Sequence, residues 1–415
     1  MLRCGLAWPA TPPDIRDAAP MLANRPVYLD NHATTPLDPR VLAAMRPWWE
    51  ENFANPHSVE HVLGRAAEAA VEEARAHVAA LVGAEAREIV FTSGATESNN
   101  LAIKGAARFA AAQGDARRRI VTVATEHKCV LESVKDLAAE GFEPVILPVG
   151  PDGMLEPETL RAALAEPTLL VSVMAVNNEI GVVQDLAALA ALTKEAGALF
   201  HTDAAQGAGR VALDVRALPA DLISVSGHKI YGPKGIGALY VRRRPRVRLA
   251  PLFSGGGQER GLRSGTLPAP LLVGLGEAAR LATAERETDA ARIAGLRDRL
   301  WAMLGAEVPG VALNAPAAPR VPGNLNIAFP GGASALAIMN AAAEELCVST
   351  GSACSSAEVE PSYVLRAIGV PDSLARSCLR IGIGRFTSPA DVELAAAALG
   401  RAWRQALSET RDAAE

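Results

Sequence analysis

No two of the five cysteines stand at C-x-x-C spacing. Cys4, Cys129, Cys347, Cys354 and Cys378 are odd in number and widely scattered, which excludes a disulfide framework and a structural zinc site. Such usage suits a reducing cytoplasm, where a thiol stays free to react. Long apolar runs are missing too: the strongest, Thr168 to Val176, is far too short to cross a bilayer, so no membrane passage is expected. Positive charge is not in excess, and a net charge of -5 gives no general attraction to nucleic acid or anionic lipid. The first residues lack the basic start and apolar stretch of a secretory signal, and Asp14 and Asp17 argue against a mitochondrial transit peptide. Residues 1–26 are expected to form a disordered tail, and Met21 serves as well as Met1 for a start. Neither G-x-G-x-x-G after the first strand nor G-x-x-x-x-G-K-[ST] occurs, which removes the motifs of dinucleotide and nucleoside-triphosphate binding.

What is present is a 415-residue chain, long enough for a large domain with a smaller one beside it. From a helical stretch after Asp38-Pro39 to about Arg280, short β-rich runs alternate with alanine-rich helical stretches, the pattern of parallel α/β units. Ile89 to Phe91, Ile120 to Ala124, Leu169 to Val176, Ala198 to Phe200, Leu222 to Val225 and Ala238 to Val241 read as buried strands. A charged helical stretch from about Ala282 to Leu304 leads to Pro316, Pro319 and Pro322, and a boundary is expected before a smaller C-terminal unit. Arg242, Arg243, Arg244, Arg246 and Arg248 crowd after the last strand, as a solvated strand end or as a docking patch.

Ligands of open α/β sheets sit outside the carboxyl ends of the strands, so the residues that follow each strand matter most. Thr92 to Asn99 is a small-residue turn entering a helix, which serves as an ordinary N-cap or as a seat for phosphate. The next runs end at Glu126-His127-Lys128, Asn177-Asn178-Glu179 and His201-Thr202-Asp203-Ala204-Ala205-Gln206. A further run ends at Ser226-Gly227-His228-Lys229, where a lysine follows small hydrogen-bonding residues. A partly desolvated lysine near other cations becomes a carbonyl-capturing amine. An amine, a carboxylate for a ring nitrogen, an imidazole to stack on a ring and a helix start for phosphate together describe pyridoxal 5'-phosphate. Near the end, Ser349 to Ala357 has no bulky residue to anchor it in a core. It reads as an exposed loop with Cys354 near its tip, either a linker or a swinging nucleophile.

Tyr28-Leu29-Asp30 with Ala33-Thr34-Thr35-Pro36, Thr92 to Asn99, Val176 to Gly181, Ser226 to Gly235, Gly255 to Thr266 and the Cys354 segment resemble cysteine desulfurases of the NifS/IscS type, over nearly all of Val27 to Ala406. The resemblance implies an α/β, fold-type I pyridoxal phosphate enzyme. Its large domain (36–287) has a mainly parallel sheet flanked by helices, and a smaller α+β domain (27–35 and 288–415) carries the cysteine loop. By position, Lys229 is then the lysine bonded to the cofactor and the base for the substrate α-proton, and Asp203 holds the pyridine nitrogen. His127 stacks on the ring and handles protons, while Gln206 and Asn178 contact the ring oxygen and the substrate side. Ala95, Thr96, Ser226 and His228 bind phosphate, and Thr266 reaches the phosphate of the other subunit of a homodimer. Arg380 pairs with the substrate carboxylate. L-cysteine becomes L-alanine, and its sulfur stays on Cys354 as a persulfide for an acceptor such as an iron–sulfur scaffold or a tRNA-thiolation protein. Two departures, Asn31-His32 and Gln258, are expected not to touch this chemistry. The chain ends soon after Trp403, without the extension some relatives use for docking a scaffold, so delivery there is the weaker expectation. An aminotransferase or selenocysteine lyase would share the amine and phosphate seat without needing the thiol.

Overall fold

The computed structural model describes residues 25–351 and 361–412. The strands run in chain order as β1 Val27–Tyr28, β2 Ile89–Thr92, β3 Arg119–Val123, β4 Glu143–Leu147, β5 Thr168–Ser172, β6 Leu199–Asp203, β7 Leu222–Ser226, β8 Gly237–Val241, β9 Ala312–Leu313, β10 Asn324–Ala328, β11 Leu346–Cys347 and β12 Cys378–Gly382. β2 to β8 form a seven-stranded sheet in the order β2-β8-β7-β6-β5-β3-β4. β8 alone runs against its neighbours β2 and β7, and the other pairings are parallel. Strands β5, β7 and β8 are buried throughout, as expected where helices cover both faces of a sheet.

β4 escapes the sequence reading. It is an edge strand, Glu143-Pro144-Val145-Ile146-Leu147, with a proline and partial exposure, so neither a buried run nor strict alternation marks it. The strand in the run to Val176 ends at Ser172, and the residues beyond it stay bonded to β6 through Val173 and Ala175 while Met174 and Val176 reach the cavity at the carboxyl end of the sheet. The charged helix begins thirteen residues sooner than expected and spans Ala269–Glu307 without a break. Its first half packs Leu272, Leu275 and Ala278 into the core of the large sheet. Its second half packs Leu296, Leu300 and Leu304 with Leu29, Leu325, Ile327 and Leu379, around the three-stranded sheet β12-β10-β9.

Two glycines let the sheet meet the site. Gly94, between β2 and the helix Ala95–Ala112, has φ +150°, a conformation open to glycine. A Cβ on Gly237 would lie 2.7 Å from the Gly94 Cα, so only glycine allows this close approach. The loop from Gly255 to Thr266 is tied to the same corner. Glu259, almost fully buried, takes both Arg75 guanidinium nitrogens at 2.8 Å and the Phe91 N–H at 2.7 Å, while Arg263 pairs with Glu97 on the helix at 2.9 Å. Breaking a buried pair strands the surviving charge. Glu259→Ala is therefore expected to lower the unfolding free energy by about 3–5 kcal/mol. The paired change Arg75→Met with Glu259→Leu is expected to cost much less, with denaturant titration as the measurement.

The arginine cluster divides. Arg242 pairs with the buried Asp221, while Arg243, Arg246 and Arg248 line a shallow groove with Arg87 and Arg260. No helix of the described residues is long and apolar enough to cross a membrane. Residues 1–24 and the stretch 352–360, with Cys4 and Cys354, lie outside the described residues.

Candidate active site

The carboxyl ends of the parallel strands open into a cavity of about 630 Å³, within the usual range for small-molecule sites. Ala95, Thr96, His127, Asn178, Asp203, Gln206, Ser226, His228, Lys229 and Arg380 all line it. Five of the six segments they come from end or follow strands of the large sheet whose carboxyl ends share one rim, and Arg380 joins them from within β12 of the small sheet. Thr266 does not line the cavity, and it is exposed on the single chain.

Lys229 closes a short 3-10 turn, Gly227–Lys229, directly after β7. Its Nζ donates to the main-chain carbonyls of His32 at 2.6 Å and Ala33 at 2.7 Å. Burial, then the positive charges of Arg210 and Arg380, pull its pKa from 10.5 down to about 7. Near neutral pH much of this amine is uncharged and nucleophilic.

Asp203 ends β6. Asn99 Nδ2 donates to its Oδ2 at 2.7 Å, and the Ala205 N–H to its Oδ1 at 2.8 Å, which leaves a carboxylate of set orientation facing the cavity. His127 caps the helix Lys128–Asp136, and its Nδ1 accepts the Cys129 N–H at 3.2 Å. Burial, outweighing Asp203, lowers its pKa, so the ring is neutral with its proton on Nε2. On the far wall, Arg380 in β12 donates to Asp30 Oδ1 at 2.7 Å and to the Asn178 carbonyl at 2.9 Å. Its Nε, and the Asn178 Oδ1 beside it, are buried without a hydrogen-bond partner. A buried donor and acceptor left open at a cavity wall ask for a ligand that has both kinds of atom. Main-chain hydrogen bonds join Arg380 to Ser349, and Gly351 also lines the cavity, so the stretch that holds Cys354 starts at this wall. Glu179 flanks the same place, accepting from Ser362 at 2.5 Å.

Four residues of the site were not legible in the sequence. Asn99 reads only as the last residue of the turn entering the helix and Cys129 only as one of the scattered cysteines, yet Asn99 holds Asp203 and Cys129 lines the cavity, its Sγ 3.0 Å from His127 Nδ1. The expectation that Asn31-His32 stands clear of the chemistry is corrected: His32 lines the cavity, and its carbonyl takes the Lys229 amine. That contact runs through the main chain, which side-chain identity does not reveal. Arg210 is the fourth, with its guanidinium against the Lys229 carbonyl at 3.2 Å.

The residues present fit pyridoxal phosphate. A low-pKa lysine, an oriented carboxylate and a neutral imidazole surround one space. Beside them the helix Ala95–Ala112 begins with N–H groups that have no acceptor within the helix, a seat for a phosphate dianion.

Residues 27–394 match the family described as aminotransferase class-V. The cysteine desulfurase IscS of Rickettsia bellii is 53% identical over 370 residues, which cover 89% of this chain and 89% of that protein. A solved NifS-like protein superposes with a TM-score of 0.83 at 34% identity, covering 92% of this chain and 99% of that one. The structure of SspA in complex with cysteine gives a TM-score of 0.75 at 36% identity, over 87% of this chain and 99% of that one.

Proposed function

The chain belongs to the aminotransferase class-V family, and we propose that it is a pyridoxal phosphate-dependent cysteine desulfurase. The observation that carries this reading is the single cavity shared by the Lys229 amine, the Asp203 carboxylate, Arg380 and the root of the Cys354 segment. L-cysteine and the Cys354 thiol give L-alanine and a Cys354 persulfide. The carbon–sulfur bond of the substrate breaks, a sulfur–sulfur bond forms, and the thiol proton balances the new carbon–hydrogen bond of alanine.

Pyridoxal phosphate, when bound, supplies the electron sink that makes an α-proton of the amino acid removable. Lys229 would hold its carbonyl carbon, and Asp203 would keep its ring nitrogen protonated. Ala95, Thr96, Ser226 and His228 would hold its phosphate, with Asn178 and Gln206 about the ring oxygen and the substrate. Arg380 presents a planar fork to the substrate carboxylate, a geometry matched to two oxygens. The Lys229 Nζ would take the α-proton, and His127, with its proton on Nε2, would exchange protons within the same cavity.

Cys354 is the nucleophile that the resemblance implies, and the described thiols are poor rivals to it. Burial pushes Cys129 up to about 12 and Cys378 up to about 11, and raises Cys347, so none of the three is a thiolate near neutral pH. Cys354 follows Gly351 by three residues, a reach of roughly 11 Å of chain.

The enzyme works as a homodimer in this reading, with Thr266 directed to the other subunit's phosphate seat. Trp49, Phe53 and Val62 support it, because each exposes more than half of its surface on the single chain. The persulfide passes to an acceptor protein, an iron–sulfur scaffold in the first instance, in the cytoplasm. The test is to incubate the purified holoenzyme with L-cysteine without reductant and to measure alanine and bound sulfur together. One alanine per sulfur retained on Cys354 is expected. Alanine without bound sulfur, or a colourless protein that cysteine does not change, would overturn the proposal.

A further inference from the structure

Behind Lys229 lies a cation that the reaction above does not use. Arg210 directly follows Gly209, a glycine with φ +70° in the turns after β6. Its guanidinium donates to the carbonyls of Asn31 at 3.4 Å and Lys229 at 3.2 Å, and to the amide oxygen of Gln206. Every one of these acceptors is neutral. Among the described residues no carboxylate stands within ion-pair distance of Arg210. Arg385, which lines the same small cavity of about 50 Å³, is surrounded by Asp38, Asp289 and Glu285. His32 and Lys229 line both this small cavity and the large one, so the two spaces share a wall.

We propose that Arg210 is a positioning residue for Lys229: its uncompensated charge, fixed against the lysine's own carbonyl, opposes a second positive charge on Nζ and keeps that amine free to capture a carbonyl.

The hydrogen bonds support the positioning half. Arg210 holds the Gln206 amide oxygen, Gln206 Nε2 donates to the His32 carbonyl at 2.7 Å, and the same carbonyl takes the Lys229 amine. The charges facing Nζ support the electrostatic half. Arg380 also faces it, but Asp30 is bound to Arg380 and offsets it. Asp203 attracts the ammonium form, and Lys234 stands exposed at the rim. His32, His127 and His228 are neutral, each held below its ordinary pKa by burial. After burial itself, Arg210 is the largest influence lowering Lys229. A charge without a counter-ion acts at full strength in a poorly solvated wall, whereas a paired one is largely cancelled.

The inference deepens the reading of Lys229 as the carbonyl-capturing amine, but its test stands without a cofactor. Reductive methylation of Lys229 across pH, in the full-length chain stripped of cofactor and read by peptide mass spectrometry, reports protonation of that amine. A midpoint near 7 is expected for the unaltered chain. Arg210→Gln should raise the midpoint by about one unit or more, a tenfold loss of neutral amine at a given pH. Arg210→Lys, which keeps the charge, should leave it within a few tenths of a unit. Ala290→Asp places a carboxylate on the wall of the small cavity. It should raise the midpoint as Arg210→Gln does, and it carries the test should Arg210→Gln not fold. In holoenzyme the pH midpoint of the bound cofactor's visible absorbance should move the same way. An unmoved midpoint in folded Arg210→Gln or in Ala290→Asp overturns the proposal. A chain that shows the shift on labelling but never takes up cofactor supports Arg210 and counts against the cofactor reading instead.

Discussion

Lys229→Ala is expected to leave a protein that no longer bonds its cofactor covalently and turns over L-cysteine at least about 10³-fold more slowly, within the usual worth of a positioned acid–base group. The phosphate seat and Asp203 are intact in this variant, so noncovalent uptake should persist, while borohydride should fix nothing to the peptide that holds residue 229. In the unaltered protein the same treatment should fix the cofactor at Lys229. The pH behaviour has a definite sign. The folded chain holds Lys229 near 7 against an ordinary 10.5, so the neutral amine dominates above 7. Below 7, capture of a carbonyl should slow about tenfold per pH unit. Between 7 and 10.5 the unfolded chain carries a proton that the cofactor-free fold lacks, so its stability should rise with pH across that window. Lys229→Ala should lose that slope. Cofactor fixed elsewhere, or a slope unchanged in the variant, would contradict the assignment.

Cys354→Ala is expected to keep the full visible absorbance of the bound cofactor, to retain no sulfur, and to form alanine about 10²-fold or more slowly. A thiol tethered beside the substrate acts at an effective concentration that free thiols do not match. Cys129→Ala provides the contrast. Cys129 lies inside the cavity, but burial keeps it a thiol, so this variant should still accumulate persulfide on Cys354. The two variants separate proximity from reactivity: Cys129 lines the cavity and is nonetheless inert. Ordinary turnover by Cys354→Ala would favour a transaminating or lyase chemistry that needs no thiol.

Much of this protein can be read along the chain. Six strands of the large sheet hold runs of β-branched and apolar residues bounded by small or polar ones, and that local pattern placed β2, β3, β5, β6, β7 and β8 within a few residues. Strand ends in an open α/β sheet share a rim, so Lys229, Asp203, His127, Asn178 and Thr96 could be expected at one site before any distance was known. β4 was lost because an edge strand with Pro144 needs no buried pattern.

The tertiary structure decided what depends on partners distant in sequence. That His32 accepts the Lys229 amine through its carbonyl, 197 positions away, follows from where the segment after β1 crosses the sheet, and any residue type would offer the same carbonyl. That Cys129 is an inert thiol, and that Arg210 lacks the carboxylates surrounding Arg385, follows from desolvation and from sums over neighbouring charges. Identity and spacing along the chain set which elements form and which groups they deliver. Protonation states depend on the surroundings of each group in space, and these exist only once the chain has packed.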